Sequence, residues 1–238
     1  MSLFNHAKYL PDELNASSKE EIFYAFKQGI KDIYDKELSF ESIIVLLAHS
    51  ALETGHWKVG LHNWNFGNIR AYPDKLKDGE YFTMFRCGEI LLGKEVFFEP
   101  PDPNSAFRAF LSREDGIRHH LSFLQKTRYV KAWKEVLNGN PGAYAHALRA
   151  GGYYTANEKL YTNTLVKLFN EFIKQKEAFL SYEPPKLVPG IESILVTYLY
   201  EPPKLTPEPN VAIKGPITIG VICLGILAWV ISALGGCF

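Results

Sequence analysis

The chain has 238 residues, 47% of them hydrophobic, enough for one domain of ordinary size with an appendage. Its 26 Lys and Arg balance 26 Asp and Glu, so no whole-chain field draws it to nucleic acid or anionic lipid, and nucleic acid is not an expected partner. The three cysteines, Cys87, Cys223 and Cys237, have no CxxC spacing, so neither a disulfide framework nor a zinc-cysteine site is implied.

The opening stretch MSLFNHAKYLPDEL lacks a basic segment followed by an apolar one, and no secretory signal is read there. Ser18 followed by Glu21 has the form of a capping box and predicts a helix through about Tyr34, with Ile22, Phe23, Phe26, Ile30 and Ile33 on one face. A second, very apolar helix begins near Ser39 and is stopped by Gly55. From Glu80 to Phe110, turn signals and β-favouring residues predict a small hairpin-like lobe. Ser112 with Asp115 opens a third helix, KAWKEVL is a fourth closed by NGNPG, and AYAHALRAGG is a short fifth. The run NEKLYTNTLVKLFNEFIKQKEAF reads as a single long sixth helix. Residues 1–180 are therefore expected to form an α+β domain, a mainly helical body carrying a small β-lobe.

Beyond it, YEPPKLVP at Tyr182 to Pro189 returns as YEPPKLTP at Tyr200 to Pro207. Paired prolines forbid helix and favour an extended path, so 181–210 is read as a Pro-rich stalk. Within 211–238, Ile217 to Leu234 runs 18 residues without a charge. As a helix this is roughly 27 Å, enough to span a bilayer, and a single-pass C-terminal membrane anchor is expected.

The chemistry candidates centre on Glu53, at the end of the apolar stretch LLAHSALETGHW. On position alone it fits a solvated helix end. It also fits a proton donor: the negative end of the helix dipole and burial against apolar neighbours both disfavour the ionised form. A carboxyl held protonated near neutrality is what a glycosidase uses to protonate a leaving oxygen. His49, Glu53 and His56 stand at i, i+4 and i+7, one helical face, but this is not the HExxH arrangement of zinc sites, and no metal is expected. His49 is expected to bond Glu53 or to pack, and His119 and His120 to be half exposed.

Three blocks taken together carry a family resemblance. SALETGHW followed by HNWNFGNIRA resembles the "ALESGWG … N-FGIK" pattern of the family 73 glycoside hydrolases, β-N-acetylglucosaminidases of bacteria and phages that cut peptidoglycan on a lysozyme-like fold. AFRAFLSREDGIRHHLSFL and AHALRAGGYYTANEKLYTNTLVKLF resemble that family's later segments in the right order, so the likeness covers roughly residues 43–169.

The resemblance implies Glu53 as general acid and Glu89, four residues before Gly93 in CGEILLGK, as the second carboxylate; Glu80, Glu95 and Glu99 compete with it. It places the family tyrosine on Tyr153, which would bond the substrate N-acetyl group or a carboxylate, or else close a loop on the core, with Tyr154 as rival and Tyr161 further along. Asn65, Phe66, Gly67 and Asn68 match the family turn that approaches sugar, and Trp57 and Trp64 are candidate sugar platforms or core. Acid, base and water suffice, so no cofactor is implied.

The expected function is a membrane-anchored peptidoglycan hydrolase of endo-β-N-acetylglucosaminidase type. Its partners would be the glycan strand, a lipid bilayer through 217–234 and, in a virion membrane of a phage, virion proteins. The alternatives are a lytic transglycosylase or muramidase on the same fold, and a non-enzymatic virion structural protein with a glycan-binding body.

Overall fold

The computed structural model describes residues 8–91 and 94–185, and their side chains except those of 89–91 and 94. The expected stalk repeat and membrane anchor lie almost wholly outside these residues. Among the described residues no helix is long and apolar enough to cross a membrane.

Helices begin where the sequence supplies caps. Helix α1 is Lys19–Tyr34, and the capping box is complete: Ser18 Oγ accepts from Glu21 N while the Glu21 carboxylate accepts from Ser18 N. Helix α2, Phe40–Glu53, is capped by Ser39, whose hydroxyl accepts from Ser42 N. Every residue from Ser42 to Glu53 is buried. A helix apolar on all sides has no solvent face to offer and must be surrounded. Here α1, α4 (Val130–Leu137) and α6 (Glu158–Ile173) surround it. Helix α3, Arg113–Leu124, packs on α1, and α5, Pro141–Ala150, packs on α4 and α6. One continuous core runs through all of them and includes Phe26, Leu46, Leu121, Val136, Tyr144 and Tyr161.

The expected long sixth helix is two. Helix α6 ends at Ile173, and α7, Lys176–Ser181, starts after a bend at Lys174 and Gln175. The bend turns Phe179 into the core, 2% exposed, with its ring centroid 5.0 Å from Phe23 and 6.1 Å from Phe172. Burying that aromatic outweighs the lost helical hydrogen bonds, which helix periodicity alone does not reveal.

The β-lobe is two antiparallel pairs rather than one hairpin. Strand β1, Tyr81–Met84, pairs with β4, Ala106–Ala109, in the register Tyr81↔Ala109 to Met84↔Ala106. Between them β2, Cys87–Leu91, and β3, Lys94–Phe98, form their own pair, with Glu89 opposite Val96. The first pair packs a small apolar cluster around Phe82 and Met84, and a second cluster, Cys87 of β2 with Phe107 of β4, bridges the two pairs.

Two close approaches hold α3 in place. A Cβ added to Gly29 of α1 would come within 2.9 Å of Ile117, and one added to Gly116 would come within 2.0 Å of the Trp64 carbonyl oxygen. The second is a backbone atom in the turn that approaches Glu53, so it cannot rotate aside. Helix propensity favours Ala over Gly by about 1 kcal/mol, yet Gly116→Ala is expected to destabilise the fold by about 2–3 kcal/mol through overpacking. Chemical denaturation checks this, and a loss under about 0.5 kcal/mol would show that α3 can move away from the turn at little cost.

Candidate active site

The last turn of α2 ends in an unusual run of backbone. Thr54 Oγ1 and N both bond the Ser50 carbonyl, at 2.7 and 3.0 Å, and Gly55, His56 and Trp57 then follow at φ 56°, 58° and 58°. Left-handed geometry at the two non-glycine residues is strained and needs support from its surroundings. Trp57 supplies it by donating Nε1–H to Ser50 Oγ at 3.0 Å and stacking on Phe172. Asn63, Trp64 and Asn68 are also left-handed, so the chain from 55 to 68 is wound tightly around the helix end.

Glu53 is the final residue of α2 and is 3% exposed. Its Oε1 accepts a hydrogen bond from Tyr161 Oη at 2.8 Å. His49 Nε2 stands 3.5 Å from the same oxygen without making a hydrogen bond, and Oε2 is buried with no partner. Burial pushes the carboxyl up to about 8, partly opposed by the Tyr161 hydrogen bond, which favours the ionised form. Burial also lowers His49 to about 3, so its imidazole is neutral. The Tyr161 phenol is raised well above its ordinary value by burial and by the carboxyl beside it, so it always has a proton to donate.

Tyr161 is itself held in place. It stacks on Tyr154 at 3.8 Å between ring centroids, Tyr154 Oη donates to the Ala145 carbonyl, and Arg149 donates to the Tyr154 carbonyl. On the opposite side the turn 65–69 supports the helix end. Asn68 donates its side-chain N–H to the Glu53 carbonyl. Asn65 donates to the carbonyls of Ile69 and Arg108 and accepts from Ile69 N, joining the site to β4.

The structure corrects the expected surroundings of His56 and His120 and gives the other expected residues their places. The phenol on Glu53 is that of Tyr161; Tyr153 instead donates to the Gly67 carbonyl at 2.9 Å, and its ring sits edge-on to His49. Asn65, Phe66, Gly67, Asn68, Tyr154 and Tyr161, candidate sugar contacts, are buried, and so is Trp57, which takes the core position that was one of its two readings. In this conformation the Tyr154 and Tyr161 rings stack on each other and the Asn65 and Asn68 amides bond backbone around the site; Trp64, half-buried and stacked on Phe66, retains accessible surface. His56 lies beyond α2 in left-handed backbone, so it does not share the helical face of His49 and Glu53. His120 is fully buried rather than half exposed, with neither ring nitrogen bonded. Among the described residues no cluster of three or more His, Cys, Asp or Glu is arranged to hold a metal ion.

Of the acidic residues in the lobe, Glu80 is tied to Arg108 at 3.0 Å and to Lys77 N, and Glu99 to Arg86 at 2.6 Å. Glu95 is exposed on β3. Glu89 is placed by its backbone, on β2 opposite Val96.

Tyr144 is a member of the site that the sequence did not announce. It reaches from α5 to His49 Nδ1 at 2.7 Å. The available signal was its place one turn before Leu148 on the apolar face of a short helix, where a phenol must find a polar partner in the core.

The family model described as "Mannosyl-glycoprotein endo-beta-N-acetylglucosaminidase" (Glucosaminidase) matches residues 32–174. No curated protein sequence matches significantly. Among solved structures, the C-terminally truncated glycoside hydrolase domain of Salmonella typhimurium FlgJ is similar at 17% identity and a TM-score of 0.44, covering 66% of this chain and 99% of its own. A peptidoglycan hydrolase from Sphingomonas sp. A1 is similar at 20% identity and a TM-score of 0.44, covering 72% and 96%.

The unfolded chain ionises Glu53 near 4.5 while the folded chain holds its proton to about 8, so the folded state binds more protons between these values and this group's contribution to stability falls as pH rises through them. Glu53→Gln is expected to remove that fall and raise stability at pH 8 by on the order of 3 kcal/mol, read from denaturation at pH 5 and pH 8. Tyr161→Phe keeps the stack on Tyr154 but removes the donor. It should move the Glu53 titration above about 8, measured by carbon-13 NMR of the carboxyl.

Proposed function

This chain belongs to the glucosaminidase family of glycoside hydrolases, and we propose that it cleaves the β-1,4 bond on the reducing side of N-acetylglucosamine in peptidoglycan, with Glu53 as general acid. The observation that carries the reading is the sealed Glu53 carboxyl, held up to about 8, with one oxygen engaged by Tyr161 and the other free.

The chemistry follows from that state. At neutral pH the carboxyl is protonated and transfers its proton to the departing glycosidic oxygen as the bond to the sugar breaks. The resulting carboxylate is stabilised by the Tyr161 O–H that was already aimed at it, so little reorganisation accompanies the step. Oε2 is covered in this conformation, so substrate reaches it when the wall over the acid opens. Glu89 is the second carboxylate in this reading, activating water or stabilising the oxocarbenium-like transition state. Supporting this choice, Glu80 and Glu99 are already committed to arginines. Peptidoglycan is favoured as the substrate by the run of blocks from Ser50 to Phe169 that resembles wall-cutting enzymes. The uncharged stretch 217–234 would tether the domain to a membrane, of a virion or of a bacterium, through the Pro-rich stalk.

The test is digestion of purified peptidoglycan by the full chain, followed by mass analysis of the released muropeptides. A reducing N-acetylglucosamine end is expected. A reducing N-acetylmuramic acid end would make the protein a muramidase, an anhydro end a lytic transglycosylase, and glycan binding without release a non-enzymatic wall-binding protein. Glu53→Gln should lower the rate by about 10²- to 10⁴-fold, the usual contribution of a general acid. Glu89→Gln should also lower it by at least about tenfold, and a fully active Glu89→Gln would remove that residue from the mechanism.

A further inference from the structure

His49 lies one turn before Glu53 on α2 and is completely buried. Its Nδ1 and Tyr144 Oη are 2.7 Å apart, a distance at which either atom can donate. Burial decides between them. Among the described residues Tyr144 Oη has no other hydrogen-bond partner. If Nδ1 carried the proton, the phenol hydrogen would be left in the core without an acceptor, a costly arrangement. Tyr144 therefore donates to the Nδ1 lone pair, and the neutral imidazole carries its single hydrogen on Nε2.

Nε2 is the ring atom that faces Glu53, 3.5 Å from Oε1. Oε1 already accepts from Tyr161, so two X–H groups converge on that oxygen while Oε2 has no partner. A carboxyl proton on Oε1 would point into these donors; one on Oε2 would not.

We propose that Tyr144 and His49 act as positioning residues: by fixing the Nε2–H tautomer they keep the carboxyl proton of Glu53 on Oε2 and offer Oε1 a second donor once that proton has left. This rests on the reading of Glu53 as the general acid. In the step itself the Oε2–H bond breaks, an O–H bond forms on the leaving glycosidic oxygen, and the Nε2–H of His49 closes on the new carboxylate without being transferred.

The titratable groups that face this pair come from every element packed against it. They are His120 of α3, with ring centroids 5.3 Å from His49; Tyr129 before α4; Tyr144 of α5; Tyr153, 4.9 Å from His49; Tyr154, stacked on Tyr161; and Tyr161 of α6. Burial lowers the imidazole of His120 and raises the five phenols, so all six are neutral where Glu53 titrates. A change in that titration on altering His49 thus reports on His49 itself.

Two side chains separate its two ring nitrogens. Asn at position 49 keeps a polar atom near Nδ1 and lacks the N–H toward Glu53, whereas Gln reaches the position of Nε2 and can supply it. In the full chain, the carbon-13 titration of the Glu53 carboxyl, assigned by its loss in Glu53→Gln, and the alkaline limb of kcat/KM are followed together. In His49→Asn both are expected to move up by about one pH unit, because the ionised form loses a donor, and in His49→Gln both are expected to return close to the parent. An unmoved titration in His49→Asn would reduce His49 to packing, and a downward move would assign it the opposite tautomer; either overturns the proposal. Should His49→Asn fail to fold, Tyr144→Phe carries the test, since it frees the tautomer without emptying the core; an upward move is expected and none would overturn it. Full activity of Glu53→Gln would instead refute Glu53 as the acid, while the carboxyl titration still reports on His49.

Discussion

A carboxyl group at the end of a helix buried on every side is the constraint on which the rest of this structure depends. Glu53 cannot reach water, so each atom of its surroundings must be arranged for a neutral acid. Tyr161 donates to one oxygen, Asn68 bonds the residue's own carbonyl, and His49 stands by as an uncharged imidazole. These partners come from α6, the 65–69 turn and α2 itself, and the helices that supply them are the ones that pack the core. The contacts that hold Glu53 neutral and those that fold the domain are therefore shared. An ionisable group kept neutral in this way costs stability at neutral pH, a cost that active sites commonly carry.

The turn from His62 to Ile69 joins the helical body to the β-lobe. Asn65 holds the Arg108 carbonyl of β4 as well as its own turn, Gly67 accepts from Tyr153, and the Trp64 carbonyl presses on Gly116 of α3. Three left-handed residues, Asn63, Trp64 and Asn68, make so tight a path feasible. The residues that match the family's turn in the sequence thus also join the two parts. Asn65 and Asn68 donate side-chain N–H groups to backbone carbonyls, Phe66 is buried, and Trp64 stacks on it while keeping part of its surface accessible.

Much of the fold was legible in local sequence. Ser18 with Glu21, Ser39, and Ser112 with Asp115 each open a helix where expected, because capping is a contact between residues three apart. Gly55 stops α2 for an equally local reason, its left-handed backbone. The bend between α6 and α7 was not legible. No residue from Lys174 to Lys176 breaks a helix, and the bend exists because Phe179 finds Phe23 and Phe172 across the core. The division of the lobe into two strand pairs was hidden for the same reason, since β1 finds β4 more than twenty residues away.

The sequence by itself determined that a glutamate ends a helix too apolar to face water, since burial of a segment follows from its own composition; that the glutamate is itself withdrawn from solvent, and its acidity perturbed, was decided by the packing around the helix end. Which phenol bonds that glutamate was decided only in three dimensions. Tyr153, Tyr154 and Tyr161 are equivalent in composition, and it is the packing of α5 and α6 around α2 that sends one to Glu53, one to the Gly67 carbonyl and one beneath the other as a stacking support. Tyr144 and the orientation of His49 belong to the same class. A hydrogen bond spanning 95 residues is set by how two helices cross, and the local spacing of residues carries no record of that crossing.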